Sequence, residues 1–158
     1  IFTPLMRNHS AAGTRQQEVY QFEKTDGFRH VIRLRYRLIP YLYSEYIKAA
    51  LRDEMMFRPL SFDYPEDSYA SQVEDQLLLG NELMLAPVCE QNARGRYVYL
   101  PEEMKLVRFL QDGTMKTRTC PAGHQYIDVP LTDVVFFSAS GLLYSIGKAG
   151  SVHTGDRL

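Results

Sequence analysis

A chain of 158 residues with 18 basic and 19 acidic side chains, formal net charge −1, can bury a sizeable core and carries no field of one sign. That balance speaks against a nucleic-acid footprint or attraction to anionic membrane, and neutral partners fit better. No apolar run approaches the roughly 20 residues that cross a bilayer and no signal-peptide pattern opens the chain, so cytoplasmic residence is expected.

The chain opens on FTPLMRNHS, residues 2–10. Residues 2–6 read as a short strand that ends in Arg7-Asn8-His9, followed by a loop containing Gly13. An imidazole at a strand end can project into a pocket, and Arg7, two residues earlier, would share its side of an extended strand. On local features alone a structural histidine outweighs a functional one, because imidazole often only satisfies a hydrogen bond. The Arg7 and His9 pair suits polar-ligand recognition, or equally a contact that pins the loop. Gln16, Gln17 and Glu18 offer groups for a hydroxyl-rich ligand, although bonds to nearby backbone are the commoner use. With no element ahead of residue 1, the chain is expected to open in the middle of a fold.

From 28 to 54 the apolar residues recur at three and four, the period of one helix face, with Asp26 placed as N-cap. Pro40 is expected to kink this helix without ending it. Arg29, Arg33, Arg37, Lys48 and Arg52 fall largely on the remaining surface and read as a solvated face. Residues 55–62 form an apolar run that reads as a buried strand closed by the acidic turn Asp63, Glu66 and Asp67. That turn fits no calcium-loop spacing and reads as solvated. Residues 69–79 read as a weaker helix stopped by Gly80-Asn81.

Beyond Gly80 the pattern changes to short runs at 83–88, 96–100, 106–110, 115–119, 126–129, 134–137 and 142–146, with turn residues between them. Asp112-Gly113 and Ala122-Gly123 mark hairpin-like turns, and the spacing suggests a β-sandwich. Two domains are therefore expected, 1–80 and 81–158, with 147–158 losing its apolar period. Cys89 and Cys120 have no metal or redox spacing and are expected as free buried thiols. His30, His124 and His153 have no sequence partner that would make a triad or a metal site, and no cofactor motif is present.

FTPLMRNHS, GTRQQE (13–18), RLRYRLIPYLYSEY (33–46), FRPLSFDYPED (57–67), DQLLLGNELMLAPVCE (75–90) and RYVYLP (96–101) succeed one another in this order. Together they resemble the C-terminal part of glycoside hydrolase family 31, the α-glucosidases and α-xylosidases, and the bacterial α-glucosidases most of all. VPLTDVVFF (129–137) is consistent with the same family. The resemblance implies α/β plus all-β architecture: the last strand and last long helix of a (β/α)8 barrel, then a β-sandwich. It implies that His9 contacts the sugar next to the scissile bond and that Arg7 supports the pocket. It further implies a retaining α-glycosidase, most simply an α-glucosidase acting on short α-linked glucosides, that needs no cofactor or metal.

The family's two catalytic aspartates stand in motifs absent here, so no catalytic role falls to Asp26, Asp63, Asp67 or Asp75. Val19 replaces the proline usual after Gln-Glu, and 138–145 departs from the usual arginine-containing segment. The other readings are a non-catalytic, carbohydrate-associated sandwich module, for which Tyr97 and Tyr99 are the tempting stacking pair although core or interdomain packing explains them more simply, or an α-xylosidase or lyase of the same family. The expected partners are an α-linked saccharide and the remainder of the barrel, with self-association of exposed edges a further expectation.

Overall fold

The computed structural model describes residues 1–15 and 17–139; Gln16, the run at 142–146, His153 and the tail lie outside the described residues. The dominant helix, α1, spans Asp26–Arg52 and buries His30, Leu34, Leu38, Leu42 and Glu45, a stripe advancing by four, four, four and three. Asp26 is a first-turn residue and not the N-cap: Thr25 holds that place, and the Asp26 carboxylate pairs with Arg29 at 3.0 Å. Asp53 ends the helix in the left-handed region at φ 54°, with its backbone N–H donating to Ala49.

Among the described residues eight strands follow: β1 Phe57–Pro59, β2 Leu77–Leu79, β3 Leu83–Leu85, β4 Gly95–Leu100, β5 Met104–Phe109, β6 Met115–Cys120, β7 Gly123–Asp128 and β8 Val134–Ser138. A four-residue helix, α2 Leu60–Asp63, and 3₁₀ turns at Val19–Gln21 and Ala70–Gln72 complete the elements. Six strands form one sheet in the order β1-β2-β3-β8-β5-β6, and β4 pairs with β7 in a second. All of these pairings are antiparallel.

Alternation along the strands shows how the layers stack. Leu78, Met84, Leu106 and Phe137 point into a cluster shared with Val98, Leu100 and Ile127 of the small sheet. Their neighbours Leu79, Leu83, Leu85, Val107 and Phe136 point the other way, into a cluster with Leu34, Leu38 and Leu42 of α1. The six-stranded sheet is thus a middle layer with α1 on one face and the β4–β7 pair on the other. Because both faces are covered, β2 and β3 are apolar at every position.

Four further expectations are corrected. Residues 69–79 form a 3₁₀ turn and strand β2, not a helix, and Gly80 at φ +58° turns the β2–β3 hairpin. The run at 55–62 is strand only at Phe57–Pro59 before it coils into α2. Ala122-Gly123 makes no hairpin: it links β6 to β7, which belong to different sheets. Cys89 is exposed, while Cys120 is buried, and both are free thiols.

The sheet runs through residue 80, since β1 and β2 precede it and β3 follows. Arg58 fastens this region with a two-point bond to the Asp63 carboxylate, at 2.8 and 2.7 Å, and a bond to the Gly80 carbonyl at 3.1 Å. Tyr41 of α1 donates its hydroxyl to the Leu79 carbonyl at 2.6 Å, and burial pushes that phenol well above its usual range. Among the described residues no helix is long and apolar enough to cross a membrane.

Candidate functional site

Residues 2–6 form no strand, which corrects the expectation of a strand end at His9. A strand needs a neighbour for its amides and carbonyls. Here the guanidinium of Arg35, on α1, gathers the carbonyls instead: Ile1 at 2.7 Å, Thr3 at 2.7 Å and Pro4 at 2.9 Å. Phe2 meets the buried Phe136 ring edge-on, with centroids 5.5 Å apart. The opening segment is therefore held to the helix and to the sheet core before the chain reaches Arg7.

Arg7 and His9 do come together. The Arg7 Nη2 lies 3.0 Å from His9 Nδ1. A guanidinium only donates, so Nδ1 must be the acceptor and the neutral ring carries its proton on Nε2. The exposed imidazole then presents an Nε2–H donor away from Arg7, a geometry suited to one hydroxyl of a ligand. Asn8 closes the loop behind it by donating to the Gln17 carbonyl at 2.6 Å. The loop tip turns at Gly13, φ +83°, where the Thr14 N–H and hydroxyl both reach the Ala11 carbonyl. An oriented N–H donor on a loop pinned at its base can hold one ligand hydroxyl. Alone it cannot supply two carboxyl groups for glycoside chemistry.

The acidic turn does structural work. Asp63 is taken by Arg58. Asp67 accepts the backbone N–H groups of Tyr69 and Ala70, at 2.9 and 3.1 Å, and the Tyr99 hydroxyl at 2.6 Å. The Tyr99 bond, followed by these amides, holds the Asp67 carboxyl below its usual range, and the same bond pushes the Tyr99 phenol up to about 12. Asp75 is paired with Arg96 at 2.5 Å. No two of these carboxylates face each other as an acid and a nucleophile. His124 meets the Tyr69 ring edge-on and the Tyr99 ring at a tilt, and no group of three His, Cys, Asp or Glu among the described residues could hold a metal.

The residues that sequence reasoning missed are Arg35, whose three acceptors lie more than thirty positions away, and Tyr126. The alternation of β7, which leaves His124 and Tyr126 exposed and buries Ile127, was the available signal for the second.

Comparison with known proteins places these features. Residues 1–45 match the TIM-barrel domain of glycosyl hydrolases family 31, and residues 53–141 match the family 31 C-terminal domain. Lysosomal α-glucosidase of Bos taurus is 40% identical over 103 residues, covering 64% of this chain and 11% of that protein. Alpha-glucosidase 2 of Bacillus thermoamyloliquefaciens is 37% identical over 103 residues, 64% of this chain and 13% of that protein. A family 31 sulfoquinovosidase from E. rectale superimposes with a TM-score of 0.76 at 25% identity, over 94% of this chain and 22% of that one. The chain thus spans only 11–13% of the length of the curated relatives it matches.

Proposed function

The chain belongs to glycosyl hydrolase family 31, and on that premise we propose that it forms one wall of the active site of a retaining α-glucosidase. The whole enzyme would release terminal α-linked glucose from short glucosides by double displacement. Its aspartate nucleophile and acid/base stand on parts of the barrel outside this chain, about 5–5.5 Å apart as retention requires. His9 donates from Nε2 to a hydroxyl of the sugar beside the scissile bond, and Arg7 fixes the ring so that the donor points outward. A bond of this kind strengthens as the ring flattens toward its oxocarbenium-like transition state.

The observation that carries the reading is the Arg7–His9 contact at 3.0 Å, inside the segment that matches the barrel domain. That the curated relatives above are α-glucosidases supports glucose as the sugar. The sulfoquinovosidase neighbour marks the breadth of substrates against which that choice must be tested.

In the full-length enzyme, His9→Ala should lower kcat/KM by about 10- to 100-fold, the loss of one hydrogen bond tightened in the transition state. Steady-state kinetics on maltose, isomaltose and an aryl α-glucoside measures it. Unchanged values on all three would remove His9 from the site, and preferential loss on an α-xyloside would move the reading to an α-xylosidase.

A further inference from the structure

We propose that the outer face of the β4–β7 sheet is a second carbohydrate-binding surface, separate from His9, that takes neutral α-linked gluco-oligosaccharides. The register sets Tyr97 opposite Tyr126 and Tyr99 opposite His124. Each residue is two positions from its neighbour on the same strand, so all four rings leave one face of the sheet, while Val98, Leu100 and Ile127 enter the core behind it. Tyr69 joins them from the preceding loop. Tyr97 meets Tyr126 edge-on with centroids 5.2 Å apart. At the neighbouring register position Tyr99, His124 and Tyr69 form a second group, with separations of 5.0 Å for Tyr99–His124 and 5.3 Å for Tyr69–His124, so the rings lie side by side in two clusters on one face.

This face is open to solvent: Tyr97 is 71% exposed, Tyr69 59% and Tyr126 55%. A contiguous aromatic face of this kind marks an interaction surface. It is also rigid. Buried Gln76 brackets the Tyr99 backbone, its Oε1 accepting the Tyr99 N–H at 2.8 Å and its Nε2 donating to the Tyr99 carbonyl at 2.7 Å. Asp67 fixes the Tyr99 hydroxyl, and Arg96 donates to the Pro87 carbonyl at 2.7 Å while pairing with Asp75. Binding therefore orders little that is not already ordered.

The shape and chemistry favour a sugar over a protein partner. Depressions of about 420 and 410 Å³ lie on either side of Tyr97. Asp75 and Arg96 border both, with Glu90 beside the first and Gln72 and Glu74 beside the second. Aromatic faces stack on the C–H face of a pyranose, and carboxylate and amide groups at the rim take its hydroxyls. A protein interface would call for an apolar core with its charges moved to the edge, whereas here Asp75 and Glu90 line the same depression as Tyr97 and Tyr126.

The surface lies across the sheet from α1 and Phe2, and hence on the other side of the molecule from the segment that carries His9. Only the choice of α-linked ligand rests on the function proposed above; the aromatic face does not.

The test is titration of the 158-residue chain with maltoheptaose, followed by ¹H–¹⁵N spectra, for the natural sequence and for Tyr97→Ala, Tyr126→Ala and Tyr36→Ala. Saturable shifts centred on 95–99 and 123–128 are expected. Affinity should fall roughly tenfold in Tyr97→Ala, the size of one lost stacking contact, and stay unchanged in Tyr36→Ala, an exposed tyrosine of α1. All three tyrosines are exposed, and far-UV spectra establish that the variants fold. Three outcomes overturn the proposal: no saturable shift up to about 10 mM ligand, shifts that survive both Tyr97→Ala and Tyr126→Ala, or shifts that grow with protein concentration in the absence of sugar. Shifts confined to residues 2–10, with 95–99 and 123–128 unmoved, overturn it too, while leaving the His9 site intact.

Discussion

Leu38→Ala tests whether α1 and the six-stranded sheet unfold as one body. Leu38 is fully buried and sits in the cluster that α1 shares with Val107, Phe109 and Phe136. Truncating such a leucine costs about 2–5 kcal/mol, the transfer of its methyl groups plus the cavity left behind. Leu34 and Leu42 flank it one turn away on the same face and resist collapse of the helix onto the void, which argues for about 3 kcal/mol. Whole-domain stabilities are only about 5–15 kcal/mol, so the loss is a large share. For a chain of this size it corresponds to a fall in Tm of about 6–12 °C. Helix content at 222 nm and hydrogen exchange of the β5 and β8 amides are the two probes, with Leu100→Ala in the opposite cluster as the counterpart. One cooperative unit requires both probes to shift together in both variants. If Leu38→Ala melts the helix early while β5 and β8 amides exchange at the natural rate, α1 is only leaning on the sheet and the layered account fails.

Further outcomes follow from individual contacts. Gly80→Ala should cost about 1–3 kcal/mol in urea unfolding, because φ +58° disfavours a Cβ and that atom would stand 2.4 Å from Glu45 Oε2. Adding Glu45→Ala should relieve part of this, and purely additive effects would refute the contact. Arg35→Ala should abolish the Phe2–Phe136 contact in NOE spectra, with Arg35→Lys restoring it only partly since an ammonium lacks the planar fork. For Asp67 and Tyr99 the pH dependence has two arms. The Asp67 carboxyl is held below its usual 3.8, so its contribution is complete above that value and is lost as pH falls through the lowered one. The Tyr99 phenol is raised from 10.0 to about 12, so its contribution is complete below 10.0 and is lost as pH rises through about 12. Tyr99→Phe should flatten both arms in stability measured against pH and remove one high-titrating phenol from the tyrosinate absorbance. An unchanged absorbance titration would refute the bond.

What the sequence disclosed depended on whether the decisive partner was local. The long helix was legible because Leu34, Leu38 and Leu42 recur along one face, and β4 to β8 because apolar and polar residues alternate or because turn residues bound them. Leu77 to Leu79 was misread as helix since an unbroken apolar run has no period when both faces of a sheet are covered. Gly80 encouraged that reading, as a left-handed glycine ends a helix as readily as it turns a hairpin. The strand expected at 2–6 failed for a different reason: its amides and carbonyls have no strand beside them among the described residues, and Arg35 satisfies the carbonyls. Ala122-Gly123 correctly marked a reversal, but a turn signal does not say which sheet the chain enters next. At the site, Arg7 and His9 met as their spacing suggested, although on a loop. Tyr99 was noticed with Tyr97 on one strand, whereas the pairing of Tyr97 with Tyr126 crosses almost thirty residues and became visible only through the register of β4 against β7.

The continuity of the large sheet through Gly80 sets a rule for building chimeras among relatives. A junction at residue 80 would strip β1 and β2 from the layer and leave β3, buried at all three positions, as a bare edge offering unpaired amides beside apolar side chains, a template for aggregation. A junction at Asp53, where the helix has just ended, would carry the whole sheet with its own edge strand. The price of that choice is a new surface for α1 to match, and the graft would succeed to the extent that Leu34, Leu38 and Leu42 find equivalent hollows in the incoming sheet.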